Sequence, residues 1–419
     1  MTGTRDRFGH PVDPTVGYAR GAILSSAVEE AARFRRGAAL IRARVAEHGP
    51  ESIGIFTGNR RDFALRPGDL PALAEEWVGA ALVAPALEAA IRRHLDAPEH
   101  AGTAVFNRGS AALIAAVLAL ARGGRVVSAV PAMGRSHPSL RRGAALAGAR
   151  FEEADDPAAL ADALRTGATS LLAVTPVTSS LARMAEEAIA QAVTLGREAG
   201  VPVLLDDAYG ARIRPVLHGG APGFALGADL VVTNADKAGL HGPRAGILAG
   251  HAALVLRVAA AAAELGQEAR APIALGVLRG LEDWTPETLR REAAEGAELA
   301  AALGACLGPL VRQTDLGPLL PAEDVLALAT ERAGLRAAPL VPVEATAALG
   351  MLLLEHHGVL TTNLAGQPGA HPALRLKPTA DALARCGGAQ GVAGAVMDGL
   401  DRLGAVLGEP ERLRAILLG

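Results

Sequence analysis

The sequence predicts an α/β protein built on a mainly parallel sheet, and three observations carry that reading. Short β-rich runs alternate with Ala/Leu-rich stretches from about residue 103 to 250. Apolar residues make up 50% of the 419-residue chain and charged residues 20%, so there is apolar surface for more than one core. The runs VPVLLD and DLVVTN each end on a polar, Gly-containing turn, and ligands in open parallel sheets bind at such carboxyl ends.

Taken in order, AILSSAVEEAARFRRGAALIRARVAEHG and PALAEEWVGAALVAPALEAAIRRHL each read as an amphipathic helix. The strand candidates follow at 103–106, 125–130, 169–175, 201–206, 229–234 and 245–250. Segments such as SAALIAAVLALARGG and SSLARMAEEAIAQAVTLGREAG are long enough to be the crossover helices. Residues 285–304 form a helix with an acid-rich start, and shorter β/α alternation runs on from there. The division this suggests is an N-terminal arm (1–60), a large α/β domain (61–284) and a small C-terminal domain (285–419).

Composition removes several classes of function. A net charge of -3 leaves no electrostatic footprint for nucleic acid over the whole molecule. Locally, Arg5, Arg7, Arg20, Arg33, Arg35, Arg36, Arg42 and Arg44 outnumber Asp6, Asp13, Glu29 and Glu30. That excess fits the solvated face of an arm helix packed on a partner subunit, and a local nucleic-acid contact is the alternative. The N-terminus lacks an apolar leader, no apolar run is long enough to span a membrane, and there are only two cysteines. A cytoplasmic location is therefore expected. No H-x-x-x-H or comparable ligand cluster occurs, so no metal is expected.

The chemistry is concentrated around one amine. Of 41 basic residues only Lys237 and Lys377 are lysines. Arg has taken almost every surface role, but a guanidinium never deprotonates and cannot condense with an aldehyde. Lys237 follows an apolar strand and opens a Gly-rich turn, DLVVTNADKAGLHGPRAG, which marks it as a possible Schiff-base residue. Upstream, Asp206 and Asp207 end the strand VPVLLD. An apolar strand ends on carboxylates where something pairs with them, a protonated pyridine nitrogen being one such partner. Read alone, the pair also fits an exposed turn with an Asp cap. The first strand runs into FNRGSAALIAAVLAL, where Arg108, Gly109 and Ser110 open a helix whose N–H groups suit a phosphate, an ordinary N-cap being the alternative.

The interval from Asp206 to Lys237, together with DDAYGAR and DKAGLHGPRAG, resembles the fold type I pyridoxal-phosphate enzymes, the aspartate aminotransferase superfamily. Within that superfamily the likeness is greatest to selenocysteine synthase and its less characterised relatives. The resemblance implies a three-layer sandwich with a smaller C-terminal α/β domain, pyridoxal 5'-phosphate as cofactor, and a homodimer or larger homo-oligomer. It implies that Lys237 forms the Schiff base and that Asp206 pairs with the pyridinium nitrogen. Gly109, Ser110 and Arg108 would lie at the phosphate, with Thr233 and Asn234 as further donors. His137, in an H-x-S pattern, and Tyr209 would lie near the ring; a helix-opening surface His and a packed core Tyr are the alternatives. Thr178 and Ser179 would meet ring or substrate. Arg375 would take the substrate carboxylate, and Arg244 a carboxylate or a phosphate. The implied reaction is β-elimination or β-replacement on a serine- or cysteine-like amino acid, with an aminotransferase, or a seryl transferase acting on transfer RNA, as alternatives.

Overall fold

The structure, a computed structural model, describes residues 4–69, 73, 75–362 and 372–419. Pro71, Ala72 and Ala74 of the second expected helix, and His371 ahead of the Arg375 run, lie outside the described residues. Contacts divide the chain into two compact units, one of residues 59–290 and one of 1–58 with 291–419.

The 59–290 unit carries a seven-stranded sheet. Its strands are β1 (Gly102–Phe106), β2 (Arg125–Ala129), β3 (Arg150–Ala154), β4 (Leu171–Val174), β5 (Val203–Asp206), β6 (Leu230–Asn234) and β7 (Gly246–Gly250). They lie in the order β1-β7-β6-β5-β4-β2-β3. β7 runs antiparallel to both β1 and β6, while the remaining pairs are parallel, as expected for a mainly parallel sheet.

β3 has no counterpart among the strand candidates read from the sequence. It is an edge strand, and only Ala154 of RFEEA is fully buried. Two glutamates in five residues weaken its β signal; charge on an edge blunts pairing with another chain.

Strand alternation builds two cores. Leu172, Val174, Val203, Leu205, Val231 and Ile247 face one way, onto helices Glu76–Leu95, Pro157–Arg165, Glu186–Glu198 and Ala271–Asp283. Leu171, Ala173, Leu204, Leu230, Val232 and Leu248 face the other way, onto Gly109–Leu120, Pro138–Leu146 and Ala252–Ala263. This is a three-layer sandwich. Helix Gly109–Leu120 lies against the sheet through Ala112, Ala115, Ala116 and Val117, all at 0% exposure.

In the other unit, Arg312–Thr314, Gly317–Leu320 and Leu374–Arg375 form a small antiparallel sheet. Its helices close a core around Val325, Leu349, Leu353, Val396 and Leu400. Residues 4–58, set apart as an arm in the sequence-based division, pack in this unit: Leu40 and Ile53 meet Met351 and Leu354. The buried Glu344 carboxylate accepts from the backbone N–H of Ile23 and of Leu24, each at 2.7 Å. Among the N-terminal arginines, Arg7, Arg20 and Arg33 pair with Asp324, Asp13 and Glu30. Among the described residues, no helix is long and apolar enough to cross a membrane.

The close approach of helix Gly109–Leu120 depends on alanines, so Ala116→Leu is expected to overpack it and destabilise the fold by about 1–3 kcal/mol. Urea unfolding monitored by circular dichroism measures this loss.

Candidate active site

β5 and β6 are parallel neighbours, with Asp206 paired in register to Val232, so their carboxyl ends lie side by side. Asp206 ends β5 on the same face as Leu204, and Asn234 ends β6 on the same face as Val232. That face is covered by helix Gly109–Leu120. A Cβ added at Gly109 would come within 2.3 Å of Asn234 Oδ1, so glycine is required for this contact. Arg108 is the helix N-cap, and Ser110 lies in the first turn. Thr233, paired in register with Ile247, points to the opposite face, so the structure does not bring it to Gly109 with Asn234.

Lys237 stands three residues beyond β6, and its Nζ lies 4.7 Å from the centroid of the Tyr209 ring. Tyr209 is buried at 5% exposure, one residue before helix Gly210–His218. Asp206 is buried at 3% exposure. Burial pushes its carboxyl up to about 7; Lys237 pulls it down and Asp207 pushes it further up. Lys237 and Asp206 therefore feel one another across the sheet rim.

Asp207 is not the exposed cap that its position also allowed. It is fully buried and accepts from Arg214 Nη2 at 2.7 Å, while Arg214 also pairs with Glu186 at 3.0 Å. A guanidinium offset by two carboxylates is what permits a second acid so close to Asp206.

A cluster of guanidiniums gathers beside the lysine turn. Arg61 donates twice to Asp236 Oδ2, at 3.0 and 2.7 Å. Arg108 and Arg244 both sense Asp236 and Arg61, and Arg108 senses Arg244. Burial first, then the neighbouring guanidiniums, lowers the pKa of both Arg108 and Arg244, that of Arg108 to about 10, while Asp236 opposes the shift. Both stay cationic at neutral pH, so three positive charges surround one carboxylate. The buried Nε and Nη2 atoms of Arg108 have no hydrogen-bond partner among the described residues. Orphaned cationic donors beside a helix N-terminus form a receptor for an anion.

The other expected residues are placed as follows. His137 caps helix Pro138–Leu146, its Nδ1 accepting from the Ser139 N–H at 3.2 Å, on the loop that follows β2. Thr178 shares a 2.8 Å hydrogen bond with Ser180 and accepts from the Ala182 N–H; Ser179 lies in the same turn after β4. Arg375 is buried on the small sheet of the other unit, opposite Leu319. Arg61, Asp236, Arg212 and Arg214 were not singled out in the sequence. Among so many arginines none stands out, and Arg61 is 175 residues from the carboxylate it holds.

Backbone strain marks the same rim. Non-glycine residues with positive φ are Asp96, Met133, Leu181 and Ala238 among the described residues. Asp96 closes a helix; the other three lie on the loops after β2, β4 and β6, Ala238 directly after Lys237. Such strain collects where a loop must present a side chain in one geometry.

Fold and site together define an aminotransferase-type α/β protein with a lysine and a carboxylate at one sheet rim. The chain belongs to the aminotransferase class I and II family, whose sequence model matches residues 79–382. It is 33% identical over 400 residues to the UPF0425 pyridoxal phosphate-dependent protein of Methanothermobacter thermautotrophicus, covering 95% of this chain and 100% of the relative. A protein of the same designation from Methanosphaera stadtmanae is 29% identical over 353 residues, 84% of this chain and 89% of that one. The N-succinyldiaminopimelate aminotransferase of Mycobacterium tuberculosis shares the fold, with a TM-score of 0.54 at 19% identity over 88% of this chain and 96% of that one.

The raised Asp206 pKa has a stability consequence for the ligand-free protein. The folded state keeps this proton up to about pH 7, whereas an unfolded Asp loses it near about pH 4. The group's contribution is thus full at low pH and is lost as pH rises to 7, by at most roughly 1.4 kcal/mol per pH unit. Asp206→Asn is expected to abolish this dependence, so its stability relative to wild type grows between about pH 4 and pH 7 in urea unfolding.

Proposed function

We propose that Lys237 and Asp206 bind the two ends of one pyridoxal 5'-phosphate ring system and that the site works on the Cα–Cβ unit of an amino acid. The chain is a pyridoxal-phosphate-dependent enzyme of the aminotransferase class I and II family. The observation that carries the site assignment is the Lys237 amine 4.7 Å from the ring of Tyr209, three residues after the buried Asp206, at strand ends that also adjoin the orphaned Arg108 donors. The residues fit the group: an amine for its aldehyde, a carboxyl for its ring nitrogen and a cationic helix start for its phosphate. When bound, the ring supplies an electron sink for negative charge that develops beside it.

The protein's part is to hold and to move protons. Lys237 supplies the attachment amine and, once a substrate amine has replaced it, the base that moves the proton at the substrate's Cα. Asp206 holds a proton shared with the ring nitrogen; burial keeps water from competing for it. Arg108, Arg244 and Arg61 hold the phosphate together with the Gly109 and Ser110 N–H groups, while Asn234 braces that helix start. Tyr209 and His137 flank the ring, and Thr178 and Ser179 border the substrate. The sequence likeness makes Arg375 the proposed carboxylate-binding residue, for which a two-pronged guanidinium is suited.

For the reaction we favour elimination or replacement at Cβ of a serine- or cysteine-like substrate, on the sequence likeness of DDAYGAR and DKAGLHGPRAG. Transamination is the second reading, supported by the family match over residues 79–382. Serine or cysteine yielding ammonia and an oxo acid with no acceptor present marks elimination; product formation that requires an added oxo acid marks transamination. The enzyme is expected to be a homodimer or larger homo-oligomer using a free amino acid. The commitment of Arg7, Arg20 and Arg33 to internal acids weighs against a transfer-RNA substrate.

With only two lysines, the attachment point is decided by borohydride reduction of the loaded protein followed by peptide mass mapping. A single modified peptide containing Lys237 is expected; modification confined to Lys377, or none, ends the reading. Arg108→Met or Arg244→Gln is expected to weaken binding of pyridoxal 5'-phosphate about 10- to 100-fold, from loss of a charge-assisted hydrogen bond, and to leave binding of unphosphorylated pyridoxal unchanged. Fluorescence titration with both ligands measures this.

A further inference from the structure

We infer that Arg212 is a positioning residue, a clamp that registers the Lys237 turn against the Asp206–Tyr209 turn, and that neutral His94 locks the clamp. Arg212 projects from the first turn of helix Gly210–His218 and is 1% exposed. Its Nε donates to the Lys237 carbonyl at 3.0 Å, and its Nη2 donates to the Asn234 carbonyl at 2.9 Å and to the Ala208 carbonyl at 3.3 Å. One rigid planar group thus holds three main-chain carbonyls, one at the end of β6, one at Lys237 beyond it and one in the turn that follows β5. The Lys237 turn presents the amine; the other turn follows Asp206 and leads to Tyr209.

The bond to the Lys237 carbonyl falls on the peptide plane that enters Ala238, whose φ of +51° is strained for a residue with a Cβ. That carbonyl also accepts from the Leu240 N–H at 3.2 Å, so both its lone pairs are engaged and the plane cannot turn freely. The strained turn persists because Arg212 over-determines it.

His94 sets the guanidinium in its own plane. His94 Nε2 lies 3.1 Å from Arg212 Nη1, and a guanidinium can only donate, so Nε2 is the acceptor and the ring is neutral with its proton on Nδ1. The ring stands edge-on to Trp284, with centroids 4.7 Å apart. Burial, then the Arg212 charge, depresses the His94 pKa to about 3, so the acceptor persists throughout the neutral range.

A lysine at 212 preserves the charge but has no fork to span three carbonyls. Arg212→Lys is therefore expected to displace the Lys237 amine, and a displacement of about 1 Å costs on the order of 100-fold in rate. The test follows two readouts that a purely structural role would leave alone in a folded variant. One is the rate at which borohydride traps pyridoxal 5'-phosphate on Lys237. The other is the pH midpoint for labelling Lys237 in cofactor-free protein with an amine-reactive reagent, with Lys377 as internal reference. In Arg212→Lys, a trapping rate lowered at least about tenfold with a shifted midpoint supports the clamp; wild-type values in a folded variant overturn it.

Should Arg212→Lys fail to fold, the His94 pair decides. His94→Gln, which keeps an acceptor, is expected to behave as wild type, whereas His94→Leu slows trapping and shifts the midpoint; equal behaviour of the two overturns the clamp. This inference rests on the proposed role of Lys237. If wild-type Lys237 traps no cofactor, that role fails, while the labelling midpoints of the cofactor-free proteins still decide the clamp.

Discussion

Burial of the Asp206 carboxyl at the end of β5 is the constraint on which the rest of the rim depends. A carboxyl taken out of water holds its proton more tightly, and Asp206 keeps its own to about pH 7 even with a positive neighbour. The Lys237 amine pulls the other way from the end of the adjoining strand. A cationic ring nitrogen between the two groups would complete the compensation, so an otherwise costly arrangement becomes a specific receptor.

Keeping that carboxyl poised requires the neighbouring charges to be settled elsewhere. Asp207 follows Asp206 in sequence but is neutralised by Arg214, itself shared with Glu186, so it adds only a modest push on Asp206. Asp236, just ahead of Lys237, is taken up by Arg61. Each acid beside the two central groups has its own guanidinium, and Arg212 instead serves carbonyls. The abundance of arginine thus has a structural use: planar, permanently charged forks hold loops and acids in place.

Close packing works toward the same end. Alanines let helix Gly109–Leu120 lie flat on the sheet, and Gly109 lets its first turn meet Asn234. The helix start is thereby fixed beside Arg108, whose Nε and Nη2 have no hydrogen-bond partner among the described residues. A bulkier helix would carry Gly109 and Arg108 away from Asn234 at the end of β6.

Much of this was legible in the residues themselves. Periodicity gave most of the sheet and its crossover helices, and missed β3 because an edge strand with two glutamates carries little β signal. Lysine scarcity singled out Lys237, and the acids ending VPVLLD singled out Asp206, because each is a chemical type that its local pattern does not otherwise explain. Helix capping by His137, the hydroxyl pairing of Thr178, and Thr233 facing the opposite layer depend on local geometry finer than residue spacing conveys. The partners of those key residues stayed hidden: Arg61 reaches Asp236 from 175 residues away, and His94 lies 118 residues from Arg212. The sequence by itself determined the kinds of group available and the order of strands along the chain, since both are local properties. Only the tertiary structure decided which arginine meets which acid or carbonyl, because a guanidinium is chosen by position and plane, and those are set by packing between segments remote in the chain.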